Sequence, residues 1–300
     1  MPDHGRLSVS PTDSSLRVGR FQAMASDCEL LLEVDDPALA EAAFDRVVTE
    51  VTRIERKFSR YIPESCIGRI NRAEGKPQPI DEETYRLLVF ADHLFRISDG
   101  LFDITSGVLR QAWAFDGSTQ IPSEAHIAQC LPKVGWDRVK LTSQSLTLGL
   151  GMELDLGGIG KEYAVDKAFG LVESLGSFPF LINLGGDLRA RGPRINGQAW
   201  SIGIENPEST QDVSRLIQIN TSAVATSGNS KRYVQQGDLR WGHLLNPKTG
   251  WPIPSKARSV TVAADTCTTA GMLTSLALLS ADGPEAFLQQ QTGLAFWMVL

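Results

Sequence analysis

A change of period along the chain constrains its fold more than any single motif. Up to about residue 131 apolar side chains recur at three- and four-residue steps; beyond it they gather in short runs broken by turn residues. From Asp36 onward Phe44, Val47, Val48, Val51, Ile54 and Phe58 make one face of a long helix. A second helix is predicted from Asp81 to Ser98, with Asp81 as N-cap and Tyr85, Leu88, Val89 and Phe95 inward, and a third from Ser123 to Leu131. One strand, Cys28 to Val34, precedes them. Later strands are predicted from Arg138 to Thr142, Ser145 to Leu148, Glu153 to Leu156, Phe180 to Leu184, Trp200 to Ile204 and Leu216 to Ile219. Ala223 to Thr226, Ser259 to Ala263 and Leu294 to Val299 complete the strands. Two helices interrupt the series: Lys161 to Leu175, with Ala164, Ala168, Leu171, Val172 and Leu175 on one side, and Thr269 to Leu279. Helices early and strands late favour a single mixed α+β domain over residues 20–300 rather than a doubly wound sheet. The polar stretch up to Gly19 reads as a flexible tail.

At 300 residues and 42% hydrophobic content the chain can bury a large core. Its formal charge of -6 comes from mixed acids and bases with no basic block, which argues against a nucleic-acid partner. Cys28, Cys66, Cys130 and Cys267 have no metal or redox spacing and read as buried or idle thiols. The tryptophans, among them Trp113, Trp136, Trp200 and Trp241, read as packing residues, and His93 as a surface side chain; His4 and His126 join no constellation. The first twenty residues hold no apolar run suited to a secretory signal or membrane span, so a cytoplasmic location is expected.

The densest chemistry lies in Leu154-Asp155-Leu156-Gly157-Gly158-Ile159-Gly160-Lys161-Glu162-Tyr163-Ala164-Val165-Asp166. A strand runs through a glycine turn into a helix, so backbone N–H groups and the positive helix end can face a phosphate, with Lys161 adding charge. The same turn could do no more than join a strand to a helix. Its glycine spacing fits neither the P-loop nor the Rossmann pattern. A second glycine site, Asn183-Leu184-Gly185-Gly186-Asp187, permits close backbone approach beside a carboxylate, or serves as a plain hairpin turn. Thr226-Ser227-Gly228 follows, and then His243-Leu244-Leu245-Asn246-Pro247-Lys248-Thr249-Gly250, whose histidine can take a proton or cap a turn.

In order, these segments resemble the motif series of the ApbE family, bacterial FAD:protein FMN transferases once described as thiamine-biosynthesis lipoproteins. The likeness runs from Phe21 to about Leu279. Met24-Ala25-Ser26 stands where that family has Met-Gly-Thr, and Phe58-Ser59-Arg60-Tyr61 with Ser65 and Asn71 resembles its Ser-x-Tyr, Ser and Asn stretch. Asp99-Gly100-Leu101-Phe102-Asp103-Ile104-Thr105 is similar to its Asp-Gly-x-Phe-Asp-x-Thr box. The resemblance implies an α+β fold with FAD held between Met24, Tyr61 and Asp103 on one side and Gly160 and Lys161 on the other. Gly186, Asp187, Thr226 and Leu244 would complete its site. It further implies Mg2+ at the FAD pyrophosphate, attack by a threonine hydroxyl of an acceptor flavoprotein on the FMN-side phosphorus, loss of AMP, and His243 as base. A catalytically lapsed FAD-binding protein, or an FAD pyrophosphate hydrolase, would use the same site.

Two departures from the family pattern bear on charge at the site; Gly160, where many relatives have Ala, matters less because the family uses a backbone carbonyl there. Where the late helix usually reads Ala-Asp-Ala-Leu-x-Thr, with the acid and the hydroxyl ligating metal, this chain reads Ala270-Gly271-Met272-Leu273-Thr274-Ser275. The implied metal set is then the Gly160 carbonyl, position 271 without its carboxylate, and Ser275. Weakened metal binding is expected, Asp265, Asp155 or Asp187 being conceivable substitutes, and Gly271→Asp is expected to fit the helix and tighten Mg2+. The other departure is Glu162, where relatives often have Gly; the sequence offers no account of it.

Overall fold

The computed structural model describes residues 5–206, 209–228, 233–236, 239–254 and 257–299. The chain opens with strands β1 (Arg6–Val9), β2 (Arg17–Ala23) and β3 (Ser26–Leu32). Helices α1 (Pro37–Phe58), α2 (Cys66–Asn71), α3 (Glu82–Ile97) and α4 (Glu124–Cys130) follow. Short strands β4 (Gln78–Pro79), β5 (Lys140–Leu141) and β6 (Ser145–Thr147) form a separate three-stranded sheet. Helix α5 (Gly160–Glu173) leads into β7 (Phe180–Leu184) and β8 (Asp187–Arg191). Next come β9 (Trp200–Asn206), β10 (Ser209–Ile219), β11 (Ser222–Gly228), β12 (Tyr233–Gln236) and β13 (Leu239–Gly242). The chain closes with β14 (Ser259–Ala264), α6 (Cys267–Leu279), α7 (Pro284–Gln289) and β15 (Ala295–Val299).

The main sheet has eight strands in the order β1-β2-β3-β7-β8-β11-β14-β15, every neighbour antiparallel. Side chains of β7 alternate between its faces as strand geometry requires. Phe180, Ile182 and Leu184 enter the large core with α1 and α5, while Leu181 joins a second cluster with Trp200, Ile204, Ile217 and Ile219 of the β9–β10 ribbon. The apolar stripe of α1 is as predicted: Phe44, Val47, Val51, Ile54 and Phe58 are buried, and the helix packs on α5. Helix α6 is apolar almost all round and packs on β11 and β14. The result is the mixed α+β architecture anticipated, with sheet strands contributed from both ends of the chain.

Several expectations need correction. The stretch before Phe21 is not a tail from residue 5 onward: β1 pairs with β2 and extends the sheet. Glu153 to Leu156 forms no ladder; the backbone of Leu154 pairs with the side-chain amide of Asn71, and the Asp155 N–H with the Ile104 carbonyl. A single 3-10 turn, Trp136–Arg138, takes the start of the Arg138 to Thr142 segment and leaves a two-residue strand. Val89 and Leu171 are exposed, because the stripes that face the core run through Leu87, Leu88, Ala91 and Leu94 in α3 and through Ala164, Val165, Ala168, Phe169 and Val172 in α5. All four cysteines are buried and free, Trp113, Trp136 and Trp200 are core residues, and His93 is exposed, as read from sequence. His4 lies outside the described residues. Among the described residues no helix is long and apolar enough to cross a membrane.

Candidate functional site at the start of helix α5

Two tight hairpin turns stand side by side beside α5. Gly185 (φ 64°) and Gly186 (φ 101°) link β7 to β8, and Met24 (φ 53°) and Ala25 (φ 55°) link β2 to β3. Both need left-handed backbone at each central residue, which glycine adopts freely and Met or Ala does not. The Met24 turn is held by its N–H donating to Glu55 Oε1 at 2.8 Å. The turns touch closely enough that a Cβ on Gly185 would lie 2.6 Å from Ser26 Oγ. Met24 also reaches α5, its Cε 4.0 Å from where a Cβ of Gly160 would be. Ile159, at the N-cap of α5, offers no side-chain cap, so the positive helix end is not blunted there.

Charge at this end is organised around Asp187, which is buried. Its Oδ2 accepts from Lys161 Nζ at 2.5 Å and its Oδ1 from the Thr226 N–H at 3.3 Å, so Lys161, Asp187 and Thr226 form one connected unit. Burial alone would lower the Lys161 pKa, but Asp187 outweighs it and holds the ammonium above its ordinary value. Asp166, one turn of α5 beyond Glu162, accepts from the N–H groups of Cys267 and Thr268 at the start of α6 and pairs with Arg189 at 2.9 Å. It anchors α6 to α5.

The Asp99 to Thr105 box packs against the glycine loop: Phe102 lies 3.4 Å from where a Cβ of Gly158 would be. Both oxygens of Asp103 are engaged, Oδ1 by the Thr105 N–H and hydroxyl and Oδ2 by the Trp136 N–H. Burial nevertheless raises the pKa of Asp103. Asp103 therefore shapes the loop, as do Ser65, which caps α2 through the Gly68 N–H, and Asn71. Tyr61 is 77% exposed, its hydroxyl accepting from Arg60 Nη2, while Arg60 Nη1 pairs with Asp155 at 2.9 Å. His243 follows β13, edge-on to Phe115 with ring centroids 6.5 Å apart, and Leu244 packs with the cluster holding Leu273 of α6. The Asn246 to Gly250 turn is tied to the Asp99 box by Lys248 Nζ, 2.7 Å from Asp99 Oδ2.

The two departures from the family pattern meet in space. Glu162 is 7% exposed, and its side chain occupies the position a residue at 271 would need. A Cβ on Gly271 would lie 2.6 Å from Glu162 Cγ and 2.7 Å from its Oε1. Glu162 Oε2 is buried without a hydrogen-bond partner. Burial first, and then the charge of Asp187, push the Glu162 carboxyl well above the usual carboxylate range, with Lys161 opposing. The expected tolerance of Gly271→Asp is thus corrected: the space is filled, and by an acid. Of the substitutes considered, Asp155 and Asp187 are paired with Arg60 and Lys161, and Asp265 is exposed. Among the described residues no three His, Cys, Asp or Glu side chains gather to hold a metal unaided. A hard cation here would therefore also draw on hydroxyl, carbonyl and ligand oxygens, a donor set that suits Mg2+.

The model of the ApbE family matches residues 24–298. The chain belongs to the ApbE family. A relative from Haemophilus influenzae, named FAD:protein FMN transferase, is 29% identical over 258 residues, 82% of this chain and 75% of its own. One of that name from Klebsiella pneumoniae (strain 342) is 31% identical, covering 83% and 78%. The crystal structure of the ApbE protein from Thermotoga maritima superposes with a TM-score of 0.83 at 30% identity, covering 95% of this chain and 94% of its own. The apo form of the Pseudomonas stutzeri flavinyl transferase ApbE gives 0.82 at 26%, covering 95% and 91%.

Within this ApbE-family chain, the predicted residues fall into two groups. Met24, Gly160, Lys161, Gly186, Asp187 and Thr226 surround the start of α5, whereas Tyr61, Asp103, His243 and Leu244 lie in other loops; Gly271 and Ser275 are buried on α6, Gly271 against Glu162 of α5. Glu55, Asp166 and the seating of Glu162 were missed. The signal for the last was present: one acid lost at 271 and one gained at 162.

Proposed function

We propose that this chain is an FAD:protein FMN transferase, cleaving FAD and attaching FMN through a phosphoester to a threonine of an acceptor flavoprotein, with release of AMP. The observation that carries the reading is the convergence of both hairpin turns and the Lys161–Asp187–Thr226 unit on the start of α5, in a chain whose relatives of that name match four fifths of it. The helix end and Lys161 are suited to the pyrophosphate, and the Met24 and Gly186 turns bring backbone close to it. Mg2+ would be held by the Gly160 carbonyl, the Ser275 hydroxyl and phosphate oxygens, and would neutralise charge as AMP departs.

The threonine hydroxyl oxygen attacks the FMN-side phosphorus, and the anhydride bond to the AMP phosphate breaks. The hydroxyl proton passes to His243, acting as base. Favouring an active enzyme over a lapsed binder is Glu162: an acid, absent from position 271, stands over it. Purified protein mixed with FAD, Mg2+ and a candidate acceptor is expected to release AMP and raise the acceptor mass by one FMN. His243→Ala should cut that transfer by roughly 10²- to 10⁴-fold with FAD binding kept. AMP release without acceptor labelling would make the chain a hydrolase instead.

A further inference from the structure

The start of α5 and the facing strand β8 bring together Lys161, Glu162, Asp166, Asp187 and Arg189. Lys161 is ion-paired with Asp187, and Arg189 with Asp166, which leaves Glu162 without an ion-pair partner of its own among the described residues. The Glu162 side chain is more than nine-tenths buried, Oε2 has no partner, and the carboxyl end is turned to α6 at Gly271. Ser275 lies one turn further along α6 on the same side as Gly271. A side chain kept only for packing gains nothing from a buried carboxyl whose Oε2 has no partner, since an apolar residue of similar size fills the same space without leaving a polar atom unsatisfied. What such a carboxylate lacks is a cation from outside the chain.

We propose that Glu162 is the acidic ligand for the divalent cation, supplied from α5 across the gap opened by Gly271 rather than from α6 itself. The absence of a Cβ at 271 is what admits it: any side chain there would meet Glu162 Cγ and Oε1. Glu162 and Gly271 then form one unit, a relocated carboxylate together with the vacancy that accommodates it. The role of the cation rests on the transferase reading; the presence of the site does not.

The test is cation binding by the full chain, with Mn2+ followed by electron paramagnetic resonance, in the presence and absence of FAD. It compares the parent, Glu162→Gln, and the exchanged pair Glu162→Gly with Gly271→Asp. Glu162→Gln should weaken Mn2+ binding by about 100-fold, the upper end of what even outer-shell losses cost, while its cation-free thermal midpoint is not lowered. The exchanged pair should recover binding. Undiminished Mn2+ binding by Glu162→Gln overturns the proposal. So does loss of binding accompanied by a lowered cation-free midpoint, which would make Glu162 structural. FMN transfer by the parent with the same metal dependence in Glu162→Gln would sink the proposal and leave the function standing. Glu162-dependent Mn2+ binding without FMN transfer would do the reverse.

Discussion

Glu33 and Glu162 are almost equally buried, at 2% and 7% exposure, yet the fold treats them in opposite ways. Glu33, directly after β3, accepts from Arg194 Nε at 2.8 Å, from Arg194 Nη2 at 2.5 Å and from the Ile195 N–H at 2.6 Å. Arg194 also pairs with Asp13, whose carboxyl is held down at about 2 by hydrogen bonds from Ser15 and Arg194. Glu33 is thus an anchor that fastens the loop after β8 to the sheet. Glu162 has the same side chain and similar burial, but its Oε2 has no donor and no Lys or Arg is ion-paired with it among the described residues. A buried carboxylate is tolerable when its partners are built into the chain, and its presence without them marks a place where the partner comes from elsewhere.

The largest consequence falls on the paired acid. Glu33→Gln leaves Arg194 without its buried partner and should cost about 3 kcal/mol in denaturant unfolding, at the lower end for breaking a buried pair. At Glu162 the sign should reverse. Without added cation, Glu162→Gln removes an unpaired buried acid and should be neutral or stabilising by about 1 kcal/mol at neutral pH. Equal losses for the two glutamines would erase the distinction between an anchor and a ligand.

A third glutamate sharpens the contrast through pH. Glu83 accepts from Arg53, Lys57 and Tyr163, joining α3 to α1 and α5. Its carboxyl is lowered from 4.5 to about 2, chiefly by the Arg53 hydrogen bond and against burial, with Lys57 and Tyr163 helping. A depressed carboxyl contributes stability that is complete above its unfolded value and is lost as pH falls from about 4.5 toward 2. Because the cluster is partly open to solvent, the contribution is about 1 kcal/mol. Thermal midpoints between pH 6 and pH 3 should therefore fall less steeply for Glu83→Gln than for the parent.

The smallest effect concerns the two hairpin turns. Ala25→Gly relieves a left-handed alanine and should stabilise the chain by about 0.5 to 1 kcal/mol, less any entropy returned to the unfolded state. A destabilised variant would show that the Met24 turn is not strained as its φ angles indicate.

What was legible in the sequence was whatever local pattern determines. The stripe of α1, the Asp81 cap of α3, which receives the Thr84 N–H at 2.9 Å, and the glycine turn before α5 all follow from residues within a few positions of one another. Strand β8 was not legible, because Asp187, Arg189 and Arg191 make it read as a charged loop; each finds a partner only when α5 and its flanks fold against it. Strand β2, with Arg17, Gly19, Arg20 and Gln22, hides its pattern in the same way. In the motif series, order along the chain predicted the family but not the division of labour. Asp103, Ser65 and Asn71 stand together in the motif series, and their hydrogen bonds to neighbouring loops and helix ends come into view only in the folded chain. Glu162 and Gly271 were each visible as anomalies, and only the packing of α5 against α6 makes them one feature.

That feature is tested most directly by a stability cycle on Glu162→Gly and Gly271→Ala, read by denaturant unfolding without cation. In the parent background Gly271→Ala should destabilise by about 1 to 3 kcal/mol, because the new methyl meets the Glu162 side chain. In the Glu162→Gly background the same change should stabilise by up to about 1 kcal/mol, the helix preference of Ala over Gly. The two positions would then be coupled by well over 1 kcal/mol, as residues in contact are. If Gly271→Ala has the same effect in both backgrounds to within about 0.5 kcal/mol, Glu162 does not occupy the space at 271 and the account of a relocated carboxylate is contradicted.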